Sequence, residues 1–184
     1  VLHCPGTILG ASVMENFGRD FGGNDPYQYS IYSHAYSQSV AEVQYAFYLE
    51  QVQLAEAIGV DLQRYPKKNF LSRTSILGPE YMGDDCIVPF EEQFPMAYGT
   101  GPFSIHDRYI TEDVPVGCHI YHQLGKKYGV ATPVIDSMIT LGSVMTGQSF
   151  FETGLTLEDL DLAHLSAEET LAYLEKGQFR KAEA

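Results

Sequence analysis

Apolar residues recur at helical spacing over much of this chain. Around 39–59, Val40, Val43, Phe47, Leu54 and Ile58 share one helix face, Ser39-x-x-Glu42 has the form of a capping box, and Gly59 is placed to end the helix. The last third is the most regular. Residues 114–128 read as a helix with Lys126 and Lys127 in its final turn, where cations suit the helix dipole, and with Gly129 as its stop. Thr132-Pro133 opens another helix, with Thr132 as N-cap and Pro133 at the first helical position. Its apolar set is Val134, Ile135, Met138, Ile139 and Leu141. Thr156-Leu-Glu-Asp-Leu160 predicts a short helix. Ser166-Ala-Glu-Glu169 is a second capping box, for a helix that closes at Gly177.

The remaining segments are less regular. Residues 1–9 read as a strand end running into a turn at Pro5-Gly6, followed by a Gly-rich stretch to Asn24, and this part is expected at an edge rather than in the core. Residues 60–107 carry so many prolines and glycines that a long irregular loop with short helices is predicted. A loop of that length inside a compact domain commonly serves as a lid or specificity segment. The pattern therefore predicts a mainly α, bundle-like fold with a long irregular loop. One domain over 1–184 is expected, without internal repeats.

Composition narrows the function classes. Hydrophobic residues make up 45% of the 184 and charged residues 19%, which places the chain among globular rather than disordered sequences. The net charge of −13 opposes a nucleic-acid backbone, so an anionic substrate needs a local cation to overcome the general field. Cys4, Cys86 and Cys118 form no Cys-x-x-Cys pair and are odd in number, which points to a reducing, cytoplasmic setting. No apolar run approaches the roughly 20 residues of a membrane span. The chain starts at Val1 without a methionine, so a preceding segment is expected. The 13 Tyr and 10 Phe supply both core and pocket walls.

Candidate chemistry concentrates in Arg108-Tyr-Ile-Thr-Glu-Asp-Val-Pro115, which sets a guanidinium, two carboxylates and a helix-starting proline together. Each residue also has a plain structural reading. Asp113 alone is an N-cap for the helix that follows, Arg108 a surface partner of Glu112, and His3 a packed or exposed terminal histidine. His119-x-x-His122, with Cys118, Glu112 or His106, offers a metal site and hence a metal-dependent hydrolase; the ordinary outcome of that spacing is a helix face against its neighbours. Gly99-Thr-Gly101 continues into Pro102-Phe103 and lacks the third glycine of a dinucleotide fingerprint. Walker, His-Glu-x-x-His and Gly-x-Ser-x-Gly motifs are absent as well.

The segment Gly101-Pro-Phe-Ser-Ile-His-Asp-Arg-Tyr-Ile-Thr-Glu-Asp-Val-Pro115, followed by Leu124-Gly125, Tyr128-Gly129-Val130 and Thr132-Pro-Val-Ile-Asp136, resembles the C-terminal helical domain of the octopine/nopaline (opine) dehydrogenase family. His3-Cys-Pro5, the helix over 40–59 and Gly154-Leu-Thr-Leu-Glu-Asp-Leu160 extend the resemblance along the chain. Cys4 stands between the His and Pro that the family sets side by side, and Leu9-Gly10-Ala11 replaces a usual Asn. Tyr48-Leu49-Glu50-Gln51 keeps only the Glu of the family's Asp-x-Glu-Arg.

The resemblance implies a fold like the C-terminal domain of 6-phosphogluconate dehydrogenase. It also implies an oxidoreductase that joins an amino acid to a 2-keto acid and reduces the product with NAD or NADP, the cofactor being held mainly by an N-terminal nucleotide-binding domain. His3 is then the acid/base, Asp113 its partner and Arg108 the clamp on the keto-acid carboxylate, and the domain by itself is inactive. Amino-donor specificity falls to the loop over 64–99, and pairing with a second copy is left open. The competing reading is a non-catalytic helical dimerisation or assembly module.

Overall fold

A computed structural model of the chain describes residues 3–18, 25–62, 64–67 and 100–177. Among these the regular structure is helical, with one isolated parallel bridge between Ser30 and Gly101. The mainly α expectation holds. Most of the loop anticipated over 60–107, Cys86 included, lies outside the described residues, as does part of the Gly-rich stretch before Asn24.

The chain begins with helix α1 (His3–Leu9), followed by α2 (Ala11–Asn16), where a strand end and a turn were expected. Pro5 does not prevent this. It sits in the first turn, where its missing N–H is one of the amides that lack an intrahelical partner anyway. Seven residues do not make a stable helix in water, so packing must hold α1. It does: Cys4, Pro5, Gly6, Thr7 and Ile8 are all buried, and the predicted edge is part of the core. At the α1–α2 junction a side chain on Gly10 would begin 2.4 Å from Ala35 Cβ, so this contact requires glycine.

Helix α3 (Gln38–Ile58) is the longest element among the described residues. Ser37, not Ser39, is its N-cap, with Oγ accepting the Val40 amide at 3.3 Å. The predicted capping box is therefore displaced, and Glu42 pairs instead with Lys67 at 2.9 Å. Gly59 ends the helix as expected, at φ +89° with its N–H donating to the Ala55 and Glu56 carbonyls. Before α3, a 3₁₀ turn (Pro26–Gln28) and a π-helical turn (Ile31–Ala35) carry the chain past α1. Gly101 closes onto this stretch, its N–H donating to Tyr29 O at 2.6 Å and its carbonyl accepting the Ile31 amide at 3.0 Å. That pair of bonds anchors the segment after Gly101 to the chain beside α1.

Helix α4 (Arg108–Thr111) follows, capped by Asp107, whose carboxylate accepts the Tyr109 amide. A π-helical turn (Asp113–Cys118) then leads into α5 (His119–Tyr128). The single helix expected over 114–128 is thus divided. Asp113 lies inside the first turn of the π segment and is not its N-cap; that position belongs to Glu112, without a side-chain bond. Gly129 stops α5 as predicted, at φ +71°.

Helix α6 (Pro133–Thr146) begins at the expected proline with Thr132 at the N-cap position, but the Thr132 side chain makes no capping bond. Thr132 Oγ1 donates to Asp136 Oδ1 at 3.0 Å. The free N-terminal amides of Val134 and Ile135 are taken by the two carboxylate oxygens of Glu50, in α3, at 2.8 and 2.9 Å. Helix α7 (Phe150–Thr153) is short, and Thr156 to Leu160 forms turns rather than the predicted helix. There Thr156 and Asp159 bond to each other through both side chain and backbone. Helix α8 (Ala167–Lys176) has the reciprocal Ser166–Glu169 capping box and ends at Gly177, as the sequence indicates.

The main core gathers residues of nearly every element, among them Ile8, Phe47, Ile110, Val114, Ile139 and Phe150. Each such side chain contributes about 1.5–3 kcal/mol by leaving water. Glu50 is the charged member of the buried set, 6% exposed, and both of its oxygens are engaged. Replacing it with alanine strands two buried amides and loses charge-assisted bonds. Glu50→Ala is therefore expected to cost about 3 kcal/mol in urea unfolding, and Glu50→Gln, which keeps one acceptor, roughly half of that. Equal stability of all three proteins would show that the clamp carries no weight.

Candidate active site

The Asp107 cap sets the first turn of α4 and so places Arg108 and Tyr109 at its start. Arg108 is exposed, and its guanidinium carbon lies 5.9 Å from the Tyr109 ring centre. Among the described residues it forms no ion pair, so the surface pairing with Glu112 is not made. Arg108 and Tyr109 line a cleft of about 170 Å³ with Thr100, Gly101, Pro102, Phe103 and Asp107. Phe103, half exposed, meets the Tyr27 ring edge-to-face at 5.6 Å. The cleft thus combines a planar cation with apolar walls. That pairing suits a small organic carboxylate.

His3, at the start of α1, meets Tyr109 without itself lining the cleft. Its ring stacks on Tyr109 with centres 3.9 Å apart and planes 7° from parallel, so Tyr109 is shared between the histidine and the cleft. Nδ1 of His3 lies 3.0 Å from the Tyr32 hydroxyl. Burial lowers the His3 pKa below the usual histidine value; Asp113 and Asp107 act to raise it and Arg108 to lower it. Of the three residues singled out in the sequence, His3 and Arg108 therefore adjoin Tyr109, and Asp113 is linked to His3. Asp113 acts on His3 through its field, while the Nδ1 partner is a phenol.

Tyr32 and Tyr109 escaped sequence reasoning. Tyr109 had a signal, since it adjoins Arg108. Tyr32 had none beyond the abundance of tyrosine, because only the passage of the Ile31–Ala35 turn beside α1 brings it to His3. Burial pushes the Tyr32 hydroxyl pKa upward, and Tyr109 and Asp113 add to this, so the phenol keeps its proton.

The histidines of α5 are occupied elsewhere. His119, fully buried, bonds through Nδ1 to the Leu155 carbonyl at 2.8 Å, and Nδ1 of His122 lies 2.8 Å from Asp136 Oδ1. A side chain on Gly154 would begin 2.5 Å from the His119 ring. Cys118 is a buried free thiol whose sulfur lies 3.6 Å from that of Cys4, also free. Among the described residues no three His, Cys, Asp or Glu side chains are grouped to hold a metal ion. No helix among them is long and apolar enough to cross a membrane.

Residues 1–146 match the family model described as NAD/NADP octopine/nopaline dehydrogenase, alpha-helical domain. The chain belongs to this family. Its octopine/nopaline dehydrogenase match includes His3, Glu50, Arg108 and Asp113, and it ends at the last residue of α6, short of the Gly154 to Leu160 segment. The chain is also similar to a protein named opine dehydrogenase from Arthrobacter sp. (strain 1C), at 39% identity over 67 residues. That stretch is 36% of this chain and 19% of the relative. The family is one of oxidoreductases, and the helical fold found here agrees with its alpha-helical domain.

The field around His3 has a measurable sign. A neutral imidazole is favoured in the fold, so the associated stability is present above the ordinary histidine pKa and is lost as pH falls through the depressed value. In an NMR titration His3 should show a midpoint below about 6.5. Asp113→Asn should lower it further and Arg108→Ala should raise it. A midpoint that ignores both substitutions would place Asp113 and Arg108 outside the reach of His3.

Proposed function

We propose that this domain binds the substrates and supplies the proton-transfer group of an opine-type dehydrogenase, which condenses an amino acid with a 2-keto acid and reduces the product. The observation that carries the reading is that His3 and Arg108 both adjoin one ring, Tyr109, which lines the cleft. Arg108 offers a fork to the keto-acid carboxylate, which leaves the adjacent carbonyl carbon oriented. An imidazole such as His3 can protonate the carbonyl oxygen or the departing hydroxyl during condensation, and take that proton in the reverse direction. Asp113 supports the charged imidazole through space. The pull of Asp113 and Asp107 opposes burial, so the ring can change charge in a partly desolvated site.

A nicotinamide cofactor supplies the hydride. The described residues do not fit the dinucleotide itself, since they contain neither a sheet nor a Gly-rich strand-to-helix turn to cradle its phosphates. In this reading a separate N-terminal nucleotide-binding domain holds it, and the present domain is inactive alone. The cleft volume suits a short 2-keto acid.

The test is turnover. Full-length protein bearing this domain, given NADH or NADPH, a 2-keto acid and a panel of amino acids, should oxidise the cofactor. His3→Ala should lower turnover by at least about a hundredfold. Arg108→Lys should raise the keto-acid KM by roughly tenfold and change kcat less, because one bond of a two-point grip is lost. Full activity in His3→Ala would overturn the acid/base assignment. No turnover with any substrate pair would favour the non-catalytic assembly module.

A further inference from the structure

A histidine that works as acid and base through one ring nitrogen must be held at the other. If the working atom is Nε2, the imidazolium gives its Nε2 proton and becomes the neutral Nδ1–H tautomer, whose Nε2 lone pair takes a proton back in the reverse step. Nδ1 keeps its hydrogen throughout and needs a fixed acceptor. The family resemblance casts Asp113 as the partner. In the structure the atom at Nδ1 is the hydroxyl oxygen of Tyr32, 3.0 Å away.

We infer that Tyr32 is the positioning residue for His3: its oxygen accepts the Nδ1–H bond in both charge states of the ring and so makes Nε2 the atom that exchanges protons with substrate. The assignment rests on the acid/base role proposed for His3. Its geometry is independent of that role. Tyr109 fixes the plane of the imidazole by stacking at 3.9 Å, and Tyr32 fixes its rotation within that plane. The two rings of His3 and Tyr32 stand at 61°, which leaves the hydroxyl near the imidazole edge, not over its face. Tyr32 is itself seated in the π-helical turn packed against α1. A neutral phenol can accept from the neutral tautomer and, more strongly, from the imidazolium. Asp113 adds to the field that favours the charged ring.

The alternative polarity makes the opposite prediction. If the phenol donates to Nδ1, the neutral ring carries its hydrogen on Nε2 and the bond favours the neutral form. Removing the hydroxyl then raises the His3 pKa. If the phenol accepts, its removal lowers it. The groups that set the rest of the field are Asp113 in the following turn, Asp107 at the N-cap of α4 and Arg108 in its first turn. Tyr32→Phe leaves all of these in place.

Long-range ¹H–¹⁵N NMR of the wild-type chain, above the His3 midpoint, is expected to show the Nδ1–H tautomer. In Tyr32→Phe the tautomer should shift toward Nε2–H and the midpoint should fall by about half a pH unit. In full-length enzyme the same variant should lower kcat roughly tenfold and leave the keto-acid KM within about twofold. The acid limb of its pH profile should move to lower pH. An Nε2–H tautomer in the wild type, or a higher midpoint in Tyr32→Phe, overturns the inference without touching the role of His3. Activity retained in His3→Ala overturns the acid/base role instead and leaves the tautomer result standing.

Discussion

The carboxylate of Glu50 holds the N-terminus of α6 from the middle of α3, and most of the architecture follows from that one cross-helix bond pair. An α-helix leaves its first amides without internal partners, and inside a protein each must find an acceptor. Here two of them meet a charged acceptor on the longest helix, so the two longest elements are locked in register where they cross. A negative charge at a helix N-terminus also suits the dipole. Burial nevertheless raises the Glu50 pKa, with the Val134 and Ile135 amides pulling it down and Asp136 pushing it up. A carboxylate in that position is costly unless both oxygens are satisfied, and they are.

Around this frame the site is assembled from elements far apart in sequence. Ile135 and Ile139 of α6 and Phe47 of α3 share a core with Cys4 and Ile8, which seats α1 and so sets where His3 emerges. The bonds between Gly101 and the 29–31 segment set where α4 starts, and with it Arg108 and Tyr109. Tyr109 is the meeting point, with a histidine against its face and a guanidinium nearby. The π-helical turn that follows carries Asp113 and Cys118 close to α1, and such turns are common where a chain departs from regular geometry for function.

The residues beyond the family match are tied back by specific bonds. Leu155 O receives His119, Lys127 donates to the carbonyls of Leu162 and Ala163, and Tyr128 bonds to Thr170. The histidine pair in α5 that suggested a metal is thereby spent partly on holding this closing segment. His122 is engaged with Asp136, the same carboxylate that receives Thr132. Polar residues at helical spacing on a partly buried face found partners on neighbouring elements.

Local chemistry was legible wherever it is self-contained. The glycine stops at 59, 129 and 177, the proline start of α6 and the Ser166–Glu169 box involve neighbours along the chain, so their residues specify them directly. Arg108, Asp113 and His3 were also identifiable as chemistry-bearing residues, and the family resemblance supplied their expected roles. The larger errors share one cause: a distant group outcompeted a nearby one. Glu50, not the Thr132 side chain, takes the free amides of α6, and core packing turned the predicted strand end at 1–9 into a buried helix, whereas the cap of α3 moved only from Ser39 to nearby Ser37. Tyr32 at the Nδ1 of His3 is the same kind of result, reached across 29 positions. The sequence alone determined the helical class, the points where helices stop and the reactive side chains available. Which of those side chains face one another was decided by the tertiary fold, because burial and hydrogen-bond satisfaction are settled among groups that the linear order keeps apart.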